Sequence, residues 1–118
     1  NIEVVLATVP NVDAPRAVEP YSQVSDRFAL ESLDVVLVDG VLRSRCVEAV
    51  IPKLRSGGVL IIDNVNWYLP SDTRSPASRS LQDGPVDAAW AAILQSLSSW
   101  RRIWTSNGVG DTAFSFKP

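Results

Sequence analysis

Two short apolar runs, each closed by an acid, constrain the fold of this chain more than any other feature. Residues 34 to 39 read Asp-Val-Val-Leu-Val-Asp, and residues 59 to 63 read Val-Leu-Ile-Ile-Asp. Neither run alternates polar with apolar, so each suits a strand buried on both faces, as in a parallel sheet. Between them, Arg43 to Leu54 places Val47, Val50, Ile51 and Leu54 at helical spacing. Pro52 lacks a backbone donor and is expected to bend that helix near its end. Gly57-Gly58 is then expected to stop it in a left-handed cap. Strand, helix and strand joined by short turns imply a right-handed crossover between parallel neighbours.

The flanking segments extend this pattern. Ile2 to Val9 is rich in β-branched residues and ends at Pro10, which predicts a strand. Residues 10 to 21 suit a loop, and Gln23 to Ser32 a short helix with Val24, Phe28 and Leu30 or Leu33 turned inward. Asn64 to Pro85 is long, polar and rich in Ser, Pro and Arg, the composition of either a functional lid or a disordered loop. Pro85 to Trp100 predicts a helix with Val86, Trp90, Ile93, Leu94 and Leu97 on one face. Arg102 to Ser106 and Thr112 to Lys117 predict a hairpin around Asn107-Gly108, with Phe114 and Phe116 on the same face. The fold class expected is α/β, with a mostly parallel sheet, helices packed on it and a C-terminal antiparallel hairpin.

Composition narrows the function. At 118 residues, with 46% hydrophobic and 20% charged, the chain suits one small domain. Its net charge of -2 gives no basic surface for nucleic acid. No apolar run approaches the roughly 18 residues that cross a bilayer. The single cysteine, Cys46, cannot form an internal disulfide, so a reducing cytoplasm is expected. Histidine is absent, which removes the commonest general base and transition-metal ligand. Methionine is absent too and the chain opens at Asn1, so it is expected to be part of a longer product.

In an open α/β sheet, ligands bind beyond the carboxyl ends of the strands. Asp39 ends one predicted strand, and Asp63 followed by Asn64 ends the next. If these strands are parallel neighbours, two carboxylates and an amide oxygen share one edge. Such a set favours a hard cation such as Mg²⁺ or Ca²⁺. Asp39-Gly40 serves equally well as a plain turn.

Residues 33 to 40, Leu-Asp-Val-Val-Leu-Val-Asp-Gly, and 53 to 65, Lys-Leu-Arg-Ser-Gly-Gly-Val-Leu-Ile-Ile-Asp-Asn-Val, resemble the fourth and fifth strand region of class I S-adenosylmethionine-dependent methyltransferases. The pattern is most similar to the small-molecule O-methyltransferases, including the catechol and caffeoyl-coenzyme A types. The resemblance implies a partial Rossmann-like sheet. It also implies a divalent cation held by Asp39, Asp63 and Asn64 that orients acceptor hydroxyls. Two departures accompany it. The glycine-rich segment that would hold S-adenosylmethionine is absent, so no cofactor-binding residue is assigned, and Ile2 to Val9 would match the family's third strand. Where metal-dependent members carry a lysine shortly after the first acid, Val41-Leu42-Arg43 stands here, and arginine does not deprotonate at working pH.

Further candidates have two readings each. Trp67 and Tyr68 could wall a flat or sugar-like acceptor or anchor the loop on the core. Arg74 and Arg79 could meet an anion or be solvated. Ser106, Asn107 and Asp111 face the same cleft if the hairpin's first strand runs parallel to the others, and otherwise are ordinary turn residues. Three functions follow. The first is a methyltransferase acting on a hydroxyl of a small molecule or sugar, with this chain as its C-terminal part. The second is a non-catalytic, degenerate methyltransferase-like binding or scaffold module. The third is an unrelated α/β domain using strand-end acids for Mg²⁺. In isolation, the Asp34 to Asp39 strand is expected to be an open edge, giving a homodimer through it, a swapped or displaced Ile2 to Val9 strand, or poor solubility.

Overall fold

A computed structural model describes residues 23–118. The expected strand Ile2 to Val9 and loop 10 to 21 lie outside the described residues. The ordered elements are β1 (Leu33–Val38), α1 (Arg43–Val50), β2 (Leu54–Asp63), α2 (Ala88–Ser96), β3 (Arg101–Ser106) and β4 (Asp111–Phe116). They form one four-stranded sheet in the order β1-β2-β4-β3. The chain is therefore α/β, as its periodicities imply.

The sheet is mixed, not mostly parallel. β1 and β2 pair in parallel, whereas β2–β4 and β3–β4 are antiparallel. The difference has one cause: the terminal hairpin does not merely extend the edge. Its second strand, β4, slides in beside β2 and leaves β3 outside. Because β4 opposes both neighbours, β3 runs in the same direction as β1 and β2.

Local chemistry explains where other boundaries fall. The segment from Gln23 forms only a 3₁₀ turn, Gln23–Arg27. α1 ends at Val50 and passes into a 3₁₀ turn, Ile51–Lys53, with Pro52 in its first positions, where a missing donor costs nothing. The chain is extended from Leu54 onward, so Gly57-Gly58 caps no helix. Gly57 instead takes φ 78° within β2, and the ladder shifts there: Leu33 pairs with Leu54, but Val35 pairs with Val59. This is a bulge, a usual place for glycine in a strand. At Gly58 a side chain would collide with backbone, since an added Cβ would lie 2.9 Å from the Arg55 carbonyl oxygen. α2 starts later than Pro85 because Asp87 caps it, its carboxylate accepting from the Trp90 amide at 2.9 Å. Val86 falls before that cap and is exposed rather than in the core.

The core lies on one face of the sheet. Val38, Leu60, Ile62 and Ala113 meet Val47 and Val50 of α1 and Trp90, Ile93 and Leu97 of α2. The opposite face is apolar as well, yet among the described residues it is open. Cross-strand pairing lines up Leu37, Ile61, Phe114 and Ile103 in one row, and Val35, Val59 and Phe116 in the next. Val35 is 59% and Leu37 62% exposed. The expectation of a β1 buried on both faces is thus met on one face only. Phe114 and Phe116 do share a face, as their spacing requires, but it is this open one.

The two faces differ in what they contribute to stability. Leu60→Ala removes a wholly buried side chain and should cost roughly 2–5 kcal/mol. Leu37→Ala, two-thirds of the way to full exposure, should cost less than about 1 kcal/mol. Urea denaturation followed by circular dichroism gives both values, and equal losses would mean that the two faces are equally buried in solution.

Candidate functional site

Three turns gather at one edge of the sheet. They are the segment after β1, the segment after β2 and the β3–β4 turn, which joins this edge because β3 is co-directional with β1 and β2. Two of the turns pass through left-handed backbone at residues other than glycine. Leu42 has φ 55° and Asn64 φ 50°. Asparagine tolerates this region, while leucine does so at a cost. Leu42 immediately precedes Arg43, the first residue of α1.

Arg43 organises this edge. One guanidinium nitrogen, Nη2, donates to Asp39 Oδ1 and to Asn64 Oδ1, each at 3.0 Å. Nη1 donates to the Tyr68 hydroxyl at 3.1 Å. The guanidinium carbon lies 5.7 Å from the Tyr68 ring centre and 6.0 Å from that of Trp67, within reach of cation–π attraction. Its side chain is only 11% exposed. A cation at a helix N-terminus opposes the helix dipole. The position is thus supported by Asp39, Asn64 and Tyr68, not by α1.

The sequence candidates separate accordingly. Asp39 and Asn64 do converge, but on Arg43. Asp63 is engaged elsewhere: its Oδ1 accepts from Thr112 Oγ1 at 2.6 Å across the β2–β4 ladder. Among the described residues no group of three or more His, Cys, Asp or Glu side chains is disposed to hold a metal. Tyr68 is a strut. Its ring stacks on buried Trp90 with centroids 4.7 Å apart and planes 14° from parallel. Trp67 meets Tyr68 edge-on at 6.4 Å and is 42% exposed, so it is the aromatic that a ligand could reach. Asn107 is exposed and caps its own turn, its side-chain oxygen accepting from the Val109 and Gly110 amides. Arg79 is committed to the carbonyls of Gly84 and Asp83.

Asp111 is not on the cleft surface at all. It is fully buried. Ser75 Oγ and Trp104 Nε1 both donate to its carboxylate, the latter at 2.7 Å. Ser106 joins through Ser75 at 2.7 Å. The Asp111 amide donates to Asn66 Oδ1 at 3.0 Å, and Asn66 Nδ2 donates to Ser78 Oγ at 2.9 Å. This network fastens the long polar segment after β2 to the terminal hairpin. That segment also closes on itself through Ser71–Arg79, Arg79–Asn66 and Val86–Tyr68 backbone bonds. On its outer side lies an open, shallow depression of about 370 Å³, lined by Ser71, Asp72, Thr73, Ser78, Arg79, Ser80, Leu81 and Gln82. Of its lining residues Arg79 alone is a sequence candidate, and its guanidinium is already bonded to Gly84 and Asp83.

Arg43, Asn66 and Ser75 are the residues that sequence reasoning missed. Arg43 differs from the lysine that the resemblance implies, which was its only signal. Asn66 and Ser75 carry none, since their partner Asp111 lies 45 and 36 positions away.

No family model matches the chain, and no curated protein matches it. Among solved structures, one described as the crystal structure of a possible exported protein from Bordetella parapertussis shares 12% identity with a TM-score of 0.47, over 89% of this chain and 51% of that one. The chain thus spans about half the length of that protein. A likeness at this level carries no argument about function. No described helix is long and apolar enough to cross a membrane.

Burial pushes the Asp111 carboxyl up, but hydrogen bonds from Ser75, Trp104 and Ser106 outweigh burial and hold it below the usual carboxylate range. The stability it contributes is therefore full above the unfolded value near about 3.9 and is lost as pH falls through the lower folded value. Asp111→Asn should flatten this acid limb. At pH 7 it should cost about 1–3 kcal/mol for each donor left unsatisfied. Urea midpoints measured between pH 3 and 7 test both, and an unchanged acid limb would mean that Asp111 is not held ionised.

Proposed function

We propose that this chain is the C-terminal part of an S-adenosylmethionine-dependent methyltransferase that methylates a hydroxyl of a small molecule or sugar. The observation that carries the proposal is the meeting of three turns at the carboxyl edge of β1 and β2, with Asp39 and Asn64 on it. That is the arrangement which the motif resemblance implies, and the co-directional β3 brings the hairpin turn to the same edge. The open apolar face agrees with a sheet that belongs to a larger body.

S-adenosylmethionine would supply the methyl group as an electrophilic sulfonium. The described residues form no glycine-rich cradle for it, so no step is assigned to its binding. A divalent cation does not fit the edge as built, because Asp39 and Asn64 already hold the Arg43 guanidinium and Asp63 is tied to Thr112. What the chain's own residues offer is orientation, the main requirement of in-line methyl transfer. The exposed face of Trp67 offers area to a flat acceptor. Asp39, whose side chain is 55% exposed, has a carboxylate able to accept the acceptor's hydroxyl proton in a hydrogen bond.

The second reading, a non-catalytic methyltransferase-like module, is favoured by the internal pairing of Arg43 with Asp39, Asn64 and Tyr68, which leaves few polar groups free at the edge. Calorimetric titration with S-adenosylhomocysteine separates the two. The full-length gene product should bind it and the present chain should not. Absence of binding by the full-length product would remove the enzyme reading and leave the module. A cytoplasmic setting remains part of the proposal, resting on the lone Cys46.

A homodimer of the isolated chain through β1 is a corollary. Leu37→Lys puts a charge on the apolar face beside that edge, and sedimentation velocity should then show a monomer where the wild-type chain sediments as a dimer. Identical sedimentation of the two would place the contact elsewhere.

A further inference from the structure

We infer that the Arg43 guanidinium is the resident cation of this edge: it stands where a divalent ion bridging Asp39 and Asn64 would have to sit, and it makes the site metal-independent. The inference goes beyond the proposed methyltransferase activity and does not require it.

The argument begins with geometry. A hard cation bridging Asp39 and Asn64 would take Asp39 Oδ1 and Asn64 Oδ1 as ligands at about 2.0–2.6 Å. Both oxygens instead point at a single nitrogen, Nη2 of Arg43, at 3.0 Å each. A metal could reach them only by displacing that nitrogen. Displacement is opposed on three sides. The Tyr68 hydroxyl holds Nη1 at 3.1 Å, and Tyr68 is itself fixed by stacking on buried Trp90. The rings of Trp67 and Tyr68 both attract the guanidinium. The arginine side chain is nearly nine-tenths buried, so it has little room to swing into solvent.

Charge makes the same point. Asp39 and Arg43 balance each other, and Asn64 is neutral. A dication arriving here would face a positive guanidinium only a few ångströms away in a partly desolvated site, where charges are screened far less than in water. Arginine cannot relieve this by losing its proton, as a lysine at this place could. Asp63 keeps its charge, but its Oδ1 accepts from Thr112 across the β2–β4 ladder and not from the Arg43 cluster.

The consequence is an oxygen set that binds metal only when the arginine is removed. Arg43→Met keeps much of the apolar stem and deletes the charge and its donors. Mn²⁺ alone is the probe, followed by electron paramagnetic resonance of the free ion in titrations of the whole chain. Wild type should show no saturable site. Arg43→Met should gain one with Kd on the order of 10⁻³ M, at least about tenfold tighter than wild type. Adding Asp39→Asn should abolish it. Arg43→Gln serves the same purpose if circular dichroism shows Arg43→Met to be unfolded. Saturable Mn²⁺ binding by wild type that Asp39→Asn removes would overturn the inference. So would a folded Arg43→Met or Arg43→Gln protein that gains no site. Neither outcome depends on whether the full-length product binds S-adenosylhomocysteine, so failure here is distinct from failure of the methyltransferase reading.

Discussion

A single buried carboxylate holds the turn-bearing edge of this sheet in shape. Asp111 opens β4, and its side chain gathers Ser75, Trp104 and, through Ser75, Ser106. Its backbone amide engages Asn66. A carboxylate this deep is tolerated only because donors surround it. The same donors come from two separate stretches of chain, the segment after β2 and β3, so satisfying the charge also dictates how those stretches meet β4. The polar segment after β2 is pinned at its start by the buried side chains of Val65 and Leu69, and its later part, around Ser75, depends on polar contacts. That part is held by hydrogen bonds that would be left orphaned in the interior if it lifted away.

Arg43 solves a related problem a short distance off. Strand ends in a parallel arrangement bring acids and amides together, and like groups need a positive partner. Here the partner is covalently part of the chain, is delivered by the first residue of α1 and lies within reach of two aromatic rings. Leu42 in left-handed backbone is the conformational cost of delivering it there. The result is an edge whose polar side chains are largely paired with one another, leaving Trp67 and the outer part of Asp39 to face solvent.

Much of the fold is legible in the residues, for physical reasons that also mark where legibility stops. The runs Val35 to Val38 and Val59 to Ile62 announce β1 and β2 because a solid block of branched side chains fits a pleated sheet and little else. Asn107-Gly108 announces the hairpin. The early start of β2 at Leu54 is not visible, because Arg55, Ser56 and Gly57 lack strand character and are extended only through pairing beyond the bulge. Nor is the insertion of β4 beside β2, which depends on contacts some 50 positions apart, such as Thr112 with Asp63. Candidate residues were legible as types and not as partners. Asp39, Asn64 and Tyr68 stand out singly, but their common partner is a matter of three-dimensional placement. Asp111 reads as a turn residue and proves to be a core one.

The two outer strands of the sheet are built to opposite specifications. β3 carries Arg101 and Arg102, whose guanidinium groups lie over Phe116 at 4.4 Å and Trp104 at 5.5 Å. Charges fixed in this way on an outer strand repel a further partner. β1 presents Val35, Val36 and Leu37 with no charge between Asp34 and Asp39. The sheet therefore has a polarity across its strands: a finished margin at β3, and at β1 a margin with the chemistry of an interior strand. Among the described residues, a further strand would pair more readily beside β1 than beside β3, so the fold has one sealed margin and one receptive one.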